Sequence, residues 1–149
     1  MLPKLVMFNC RSNNEQLRNP KKMYVMDNGM RNAVSYRFSE DLGRLAENAV
    51  YWRLVAQEGD VFYYKKRGEV DFIVRRGMEI ANLIQVSMLG REEGKAWQRE
   101  TDALAEAMED LKVGEGMIIT DSREEILSVP EGTIRMVPLW KWLTYSEIT

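Results

Sequence analysis

At 149 residues, with 45% apolar and 30% charged side chains, the chain has the size and composition of one globular domain, and disorder or a disulfide-dense miniprotein is excluded. Histidine is absent, which rules out Ser-His-Asp and Cys-His catalysis, His-ligated zinc and an imidazole switch; the single Cys10 can form neither an intrachain disulfide nor a zinc knuckle. The net charge of −2 is unevenly spread, with 17 basic and 12 acidic side chains in residues 1–99 against 4 and 11 in 100–149, but the basic excess is scattered and reads as solvated surface. No apolar run approaches the ~20 residues of a membrane span and the start lacks the apolar stretch of a secretory signal, so a soluble, cytoplasmic protein without membrane contact is expected.

Residues 1–22 mix Pro3, Asn13, Asn14, Asn19 and Pro20 with basic side chains and show no sustained period, so they read as a connector or tail ahead of a single domain over 23–149. Met23 to Met26 is a short strand-like run stopping at the turn signal Asp27-Asn28-Gly29. A helix is expected from Ser39, an N-cap followed by Glu40 and Asp41, to near Gly59, with Leu42, Leu45, Ala46, Ala49, Val50 and Leu54 forming an apolar stripe and Glu47 on its rim. Strands over 61–65, 69–75 and 80–87 follow as an antiparallel meander. Strict alternation along the middle one puts Val70, Phe72 and Val74 on one face and Glu69, Asp71 and Ile73 on the other. An amphipathic helix over 92–112 carries Trp97, Thr101, Leu104, Met108 and Leu111 on its inner stripe, and a right-handed crossover leads to a parallel strand at 117–120. A strand over 134–139 and a short aromatic helix or turn at 140–143 close the order. The fold class is α/β, a central mixed sheet flanked by helices.

If the helix packs with Glu47 toward the open side of the middle strand, its carboxylate approaches Asp71, with Gln85 on the neighbouring strand. Two carboxylates and an amide oxygen suit a hard cation, magnesium or manganese, which activates water and neutralises a phosphoryl group. The basic clusters Lys21-Lys22, Lys65-Lys66-Arg67 and Arg75-Arg76 fall in turns, where they contact phosphates or simply keep the surface solvated. Gly90 to Ala96 is no phosphate-binding loop: three residues rather than four separate the glycines, and Ala96 stands where Ser or Thr would coordinate magnesium, so this chain should hold no ATP site.

Glu47 in Leu45-Ala46-Glu47-Asn48, Gly68-Glu69-Val70-Asp71-Phe72 and Ile84-Gln85-Val86-Ser87 resemble the three signature positions of the PD-(D/E)XK nuclease-like superfamily. Together with Lys22 to Met30 and Val137 to Leu143, the pattern resembles the C-terminal domain of archaeal and bacterial AAA+ type ATPases of unassigned function, over roughly residues 8–143. The resemblance implies a restriction-endonuclease-like core, with Glu47 and Asp71 as metal ligands and Gln85 in place of the usual acidic third ligand. It also implies an AAA+ type ATPase domain as a partner in cis or trans. Active members carry a lysine two residues after the third ligand, where this chain has Ser87, and a hydroxyl cannot supply that charge. Lys65 or Lys66 on the adjacent strand, or Lys95 and Arg99 on the next helix, are the candidates to supply a cation there and, with Arg67, to meet nucleic acid. The rival expectation is a non-catalytic docking or oligomerisation module, motivated by Trp140, Trp142 and the acidic 100–131 stretch.

Overall fold

The computed structural model describes residues 4–8, 21–24, 38–57, 59–88 and 94–145; the turn expected at Asp27-Asn28-Gly29 and the stretch from Gly90 to Glu93 lie outside the described residues. Eight strands form one mixed sheet in the order β2-β1-β3-β4-β5-β6-β8-β7. The strands are β1 (Lys4–Phe8), β2 (Lys22–Tyr24), β3 (Asp60–Lys65), β4 (Glu69–Arg76), β5 (Glu79–Ser87), β6 (Glu115–Thr120), β7 (Glu125–Val129) and β8 (Gly132–Pro138). Among the described residues three helices accompany them: α1 (Phe38–Ala56), α2 (Lys95–Leu111) and α3 (Leu139–Thr144). The meander β3-β4-β5 is antiparallel and β6 joins β5 in parallel after the α2 crossover, as the chain order requires.

Two strands go beyond the sequence expectation. Residues 4–8, within the stretch read as a tail, form β1, which runs parallel to β3 and antiparallel to β2. Residues 125–129 form β7, which pairs with β8 across a two-residue turn closed by Gly132. That glycine has φ +145°, and a Cβ on it would lie 2.0 Å from the Gly114 carbonyl oxygen, so only glycine serves there.

Both faces of the sheet are covered, which explains why β4 and β5 are apolar on both sides. On one face Val50, Tyr51 and Leu54 of α1 and Trp142 of α3 pack against Tyr63, Phe72, Val74, Ile84, Ile119 and Val137. The Arg53 guanidinium ties the two helices together, lying 5.3 Å from the Trp142 ring centre and donating to the Leu143 carbonyl at 2.8 Å. On the other face Leu104, Ala107 and Met108 of α2 pack against Phe62, Tyr64, Val70, Ile73, Leu83 and Ile118, so the predicted stripe of this helix does face inward. Among the described residues no helix is long and apolar enough to cross a membrane.

Strict alternation fails on β4. Phe62 pairs with Ile73 and Tyr64 with Val70, so two residues on β3 span three on β4. The extra residue is a β-bulge at Asp71-Phe72, and it moves Val70 to the α2 face with Ile73, away from Phe72 and Val74. Val70 therefore does not share the face expected for it, and Asp71 is re-aimed.

α2 is held close to the β3–β4 turn. A Cβ on Gly68 would lie 2.4 Å from the Ala103 Cβ and 2.8 Å from its Cα, and the Gly68 amide donates to Glu106 Oε2 at 3.1 Å. Gly68→Ala should therefore force this contact apart and lower stability by ~1–3 kcal/mol, the usual cost of overpacking. Urea unfolding read by far-UV circular dichroism checks it.

Candidate functional site

The β2 edge strand alternates, and alternation decides what it contributes: Met23 is 63% exposed, while Lys22 and Tyr24 point together toward α1 and β4. Tyr24 is fixed by stacking on Tyr51, with ring centres 4.2 Å apart, and by a tilted contact with Phe72. Its hydroxyl donates to Glu47 Oε1 at 2.5 Å. Lys22 Nζ lies 2.7 Å from Asp71 Oδ1, 2.8 Å from Glu69 Oε1 and 3.3 Å from Glu47 Oε1. An ammonium has three N–H donors, and three carboxylates take them.

The β4 bulge serves this centre. β4 and β5 lose their regular ladder beyond the Phe72–Ile84 pair, and side chains replace the backbone bonds: Asp71 Oδ2 accepts from the Val86 amide at 2.9 Å, and the Asp71 amide donates to Gln85 Oε1 at 3.1 Å. The Gln85 amide nitrogen in turn donates to Glu100 Oε2 of α2. Glu69 is also reached by Lys65, at 3.4 Å.

The electrostatics follow from burial set against pairing. Burial is the largest influence on Asp71 and pushes its carboxyl up to about 7; Lys22 opposes this and Glu47 adds to it. Burial alone would lower Lys22, but the charges of Asp71 and Glu47 outweigh it and hold the ammonium protonated well above its ordinary range. Burial, then the Glu47 charge, keeps the Tyr24 phenol protonated too. For Glu69, burial is outweighed by the Lys22 and Lys65 contacts, and its carboxyl sits below the usual value.

Glu47 and Asp71 thus converge, and Gln85 adjoins them. The cation between them is Lys22, not Lys65, Lys66, Lys95 or Arg99. The sequence places Lys22 on turn surface because a lysine ahead of an apolar run defaults to solvent; the signal it does carry is the two-residue spacing from Tyr24. Of the four expected cations, Lys65 reaches the outer edge of the centre through Glu69, while Lys66 pairs with Asp110 at 2.8 Å, Arg99 pairs with Glu100 at 3.5 Å and Lys95 is exposed on α2. Arg67 pairs with Glu106 at 3.7 Å. Lys66, Arg67, Lys95 and Arg99 line one groove of about 1040 Å³ along α2, interleaved with Asp102, Glu106, Glu109 and Asp110. Ser87 Oγ is buried and finds no hydrogen-bond partner among the described residues. Trp142 is buried, Trp97 is half-buried beneath the Arg123 guanidinium, and Trp140 is 61% exposed.

As placed, these residues do not fit a magnesium or manganese ion. The carboxylate oxygens stand 2.7–3.3 Å from the ammonium nitrogen, against the ~2.0–2.1 Å that Mg²⁺ demands, and Gln85 Oε1 faces a backbone amide. Among the described residues no group of three or more Asp, Glu or Cys side chains is arranged to hold a metal.

Asp71 makes a pH prediction. Its folded-state value lies above its ordinary 3.8, so its contribution to stability is full below that value and is lost as pH rises toward and through about 7. Glu69 acts in the opposite sense, but only at and below its ordinary 4.5, and Lys22 only in strong alkali. Between about pH 5 and pH 8 the urea midpoint should therefore fall with rising pH in the wild type and stay flatter in Asp71→Asn.

Comparison of the chain with family models, curated proteins and solved structures returned no match.

Proposed function

We propose that this chain is a nuclease-like module that has given up phosphodiester cleavage and works by docking, with an AAA+ type ATPase domain as its partner. The meander β3-β4-β5, the α2 crossover to parallel β6 and the approach of Glu47 to Asp71 support a restriction-endonuclease-like core. The observation that carries the loss of cleavage is Lys22. Cleavage at such a centre needs a hydrated cation to activate water and offset phosphoryl charge, and a free cationic N–H to orient the water. Lys22 fills the space between the carboxylates, and its three N–H groups are all engaged. Ser87, at the position of the usual lysine, is neutral and buried.

Docking is supported by large apolar side chains left in solvent: Trp140, Tyr145, Ile126 and Leu42 are each more than half exposed. Aromatic groups of this kind anchor protein interfaces. The ATPase as partner rests on the sequence resemblance alone. A second reading, nucleic-acid binding without cleavage, is favoured by the four basic side chains on the α2 groove, although acidic neighbours offset them.

One set of assays separates these readings. With magnesium or manganese, the wild type should leave single-stranded, duplex and branched DNA intact, as Asp71→Ala does; metal-dependent cleavage that Asp71→Ala abolishes would overturn the reading. Retention of DNA at low salt, falling steeply as salt rises, would favour the groove. Binding to the ATPase domain of a family member that weakens in Trp140→Ala supports docking.

A further inference from the structure

We infer that the outer edge of β7 is a self-association surface, on which a second copy of this chain lays its own β7 antiparallel to the first and joins the two sheets into one. This goes beyond the docking reading, since it concerns a different partner, and its test contains neither an ATPase domain nor nucleic acid, so either reading can fail without the other.

The first argument is topology. β7 is the last strand of the sheet, paired with β8 on one side and, among the described residues, with no strand on the other. Its outer side therefore presents backbone N–H and C=O groups as a template for one more strand. Glu125, Ile126 and Ser128 are exposed, and the large apolar side chain of Ile126 is 66% so. Lysine, which commonly blunts such an edge, is absent from β7.

The second argument is register. Two copies related by a two-fold axis present the same strand to each other in opposite directions. With Leu127 opposite Leu127 of the other copy, Ile126 meets Ser128 and Glu125 meets Val129, so no like charges face each other along the strand. Leu127 and Val129, which pack on the α2 side of the sheet, would there adjoin their own copies, and alternation puts the two Ile126 side chains diagonally across from each other on the opposite face. Two positions beyond the strand, the same register sets Arg123 of each copy opposite Glu131 of the other. Glu131 has a charge to offset: its Oε2 is buried and finds no hydrogen-bond partner among the described residues. Arg123 is already held at this end of β7, 2.7 Å from Glu125 and 4.9 Å from the centre of the Trp97 ring. Moving the axis to Ile126 would instead oppose Glu131 to Asp121, and moving it to Ser128 would draw Pro130, which has no N–H, into the paired strand. Of the three registers, the one centred on Leu127 escapes both penalties.

One strand pair makes a small interface, so the dimer is expected to be weak, with a Kd of roughly 10–100 µM. Sedimentation velocity of the full chain, from about 1 µM to about 500 µM, should show a monomer converting to a dimer over that range. Ile126→Lys, at a position already open to solvent, should keep the far-UV circular dichroism and weaken the dimer at least about tenfold. Arg123→Glu and Glu131→Arg should each weaken it, because each sets like charges opposite one another, and the two together should restore it to within about threefold. Trp140→Ala should leave it unchanged. A wild type that stays monomeric throughout overturns the inference and leaves the edge to a strand of different sequence. A dimer indifferent to Ile126→Lys overturns it too, as does a folded double variant that associates no better than the folded single ones. If the charge variants fail to fold, the wild type and Ile126→Lys decide the matter by themselves.

Discussion

The rest of the site depends on one ammonium shared by three carboxylates. Withdrawing Glu47 and Asp71 from water beside the part-exposed Glu69 is unfavourable, since each ion buried costs several kcal/mol. At an effective dielectric of about 20, one charge pair ~3 Å apart returns roughly 5–6 kcal/mol. The two quantities are of the same size, so the cluster's main product is position rather than net stability. Lys22 fixes where α1 stands relative to β4, because Glu47 belongs to one and Asp71 to the other. It can do so only because β2 is laid against β1, and β1 runs parallel to β3. The N-terminal stretch is thus a working part of the centre and not an appendage to it.

Much of the scaffold was legible because hydrophobic period is local. α1 spans Phe38–Ala56 where a helix from Ser39 to near Gly59 was expected, and the meander and the parallel crossover follow from strand length and turn residues. What escaped was non-local. Leu5 to Phe8 is too short a run to show a period, and its strand identity comes from pairing with residues more than fifty positions away. Residues 125–129 are only five long, run straight into Pro130 and set Ile126 beside Leu127 rather than alternating, so the hairpin with β8 is what marks them as a strand. The β4 bulge is invisible for another reason. Val70, Phe72, Ile73 and Val74 are all apolar and both faces of the sheet are covered, so the pattern cannot reveal which face Val70 takes.

The candidate site was legible as a set of acids and illegible as a charge balance. The approach of Glu47 to Asp71 was legible as a condition on helix packing and from the family resemblance, whereas their cation, 25 and 49 residues away, was not among the residues expected to supply the charge. Gln85 shows the same limit. In the sequence it only resembles a ligand position with an amide in place of the acid; in the structure its oxygen completes the broken ladder at Asp71 and its nitrogen meets Glu100. A glutamate at 85 would set one carboxylate against another and lose the donor that Glu100 now uses. The amide at 85 and the acid at 100 are matched across the β5–α2 contact, so the departure from the nuclease-like pattern has a local physical cause.

Two classes of charge therefore coexist in this molecule. Lys22 is four-fifths buried in its side chain and committed to three partners, and removing it would leave desolvated charge behind. Lys66, Arg67 and Arg99 pair with Asp110, Glu106 and Glu100 with their own side chains more than half exposed, and solvent-screened pairs of that kind add little to stability. The outer set can exchange partners at little cost, while the inner set cannot. The outer pairs are exchangeable surface, whereas the inner set is part of what holds β2, α1 and β4 in place.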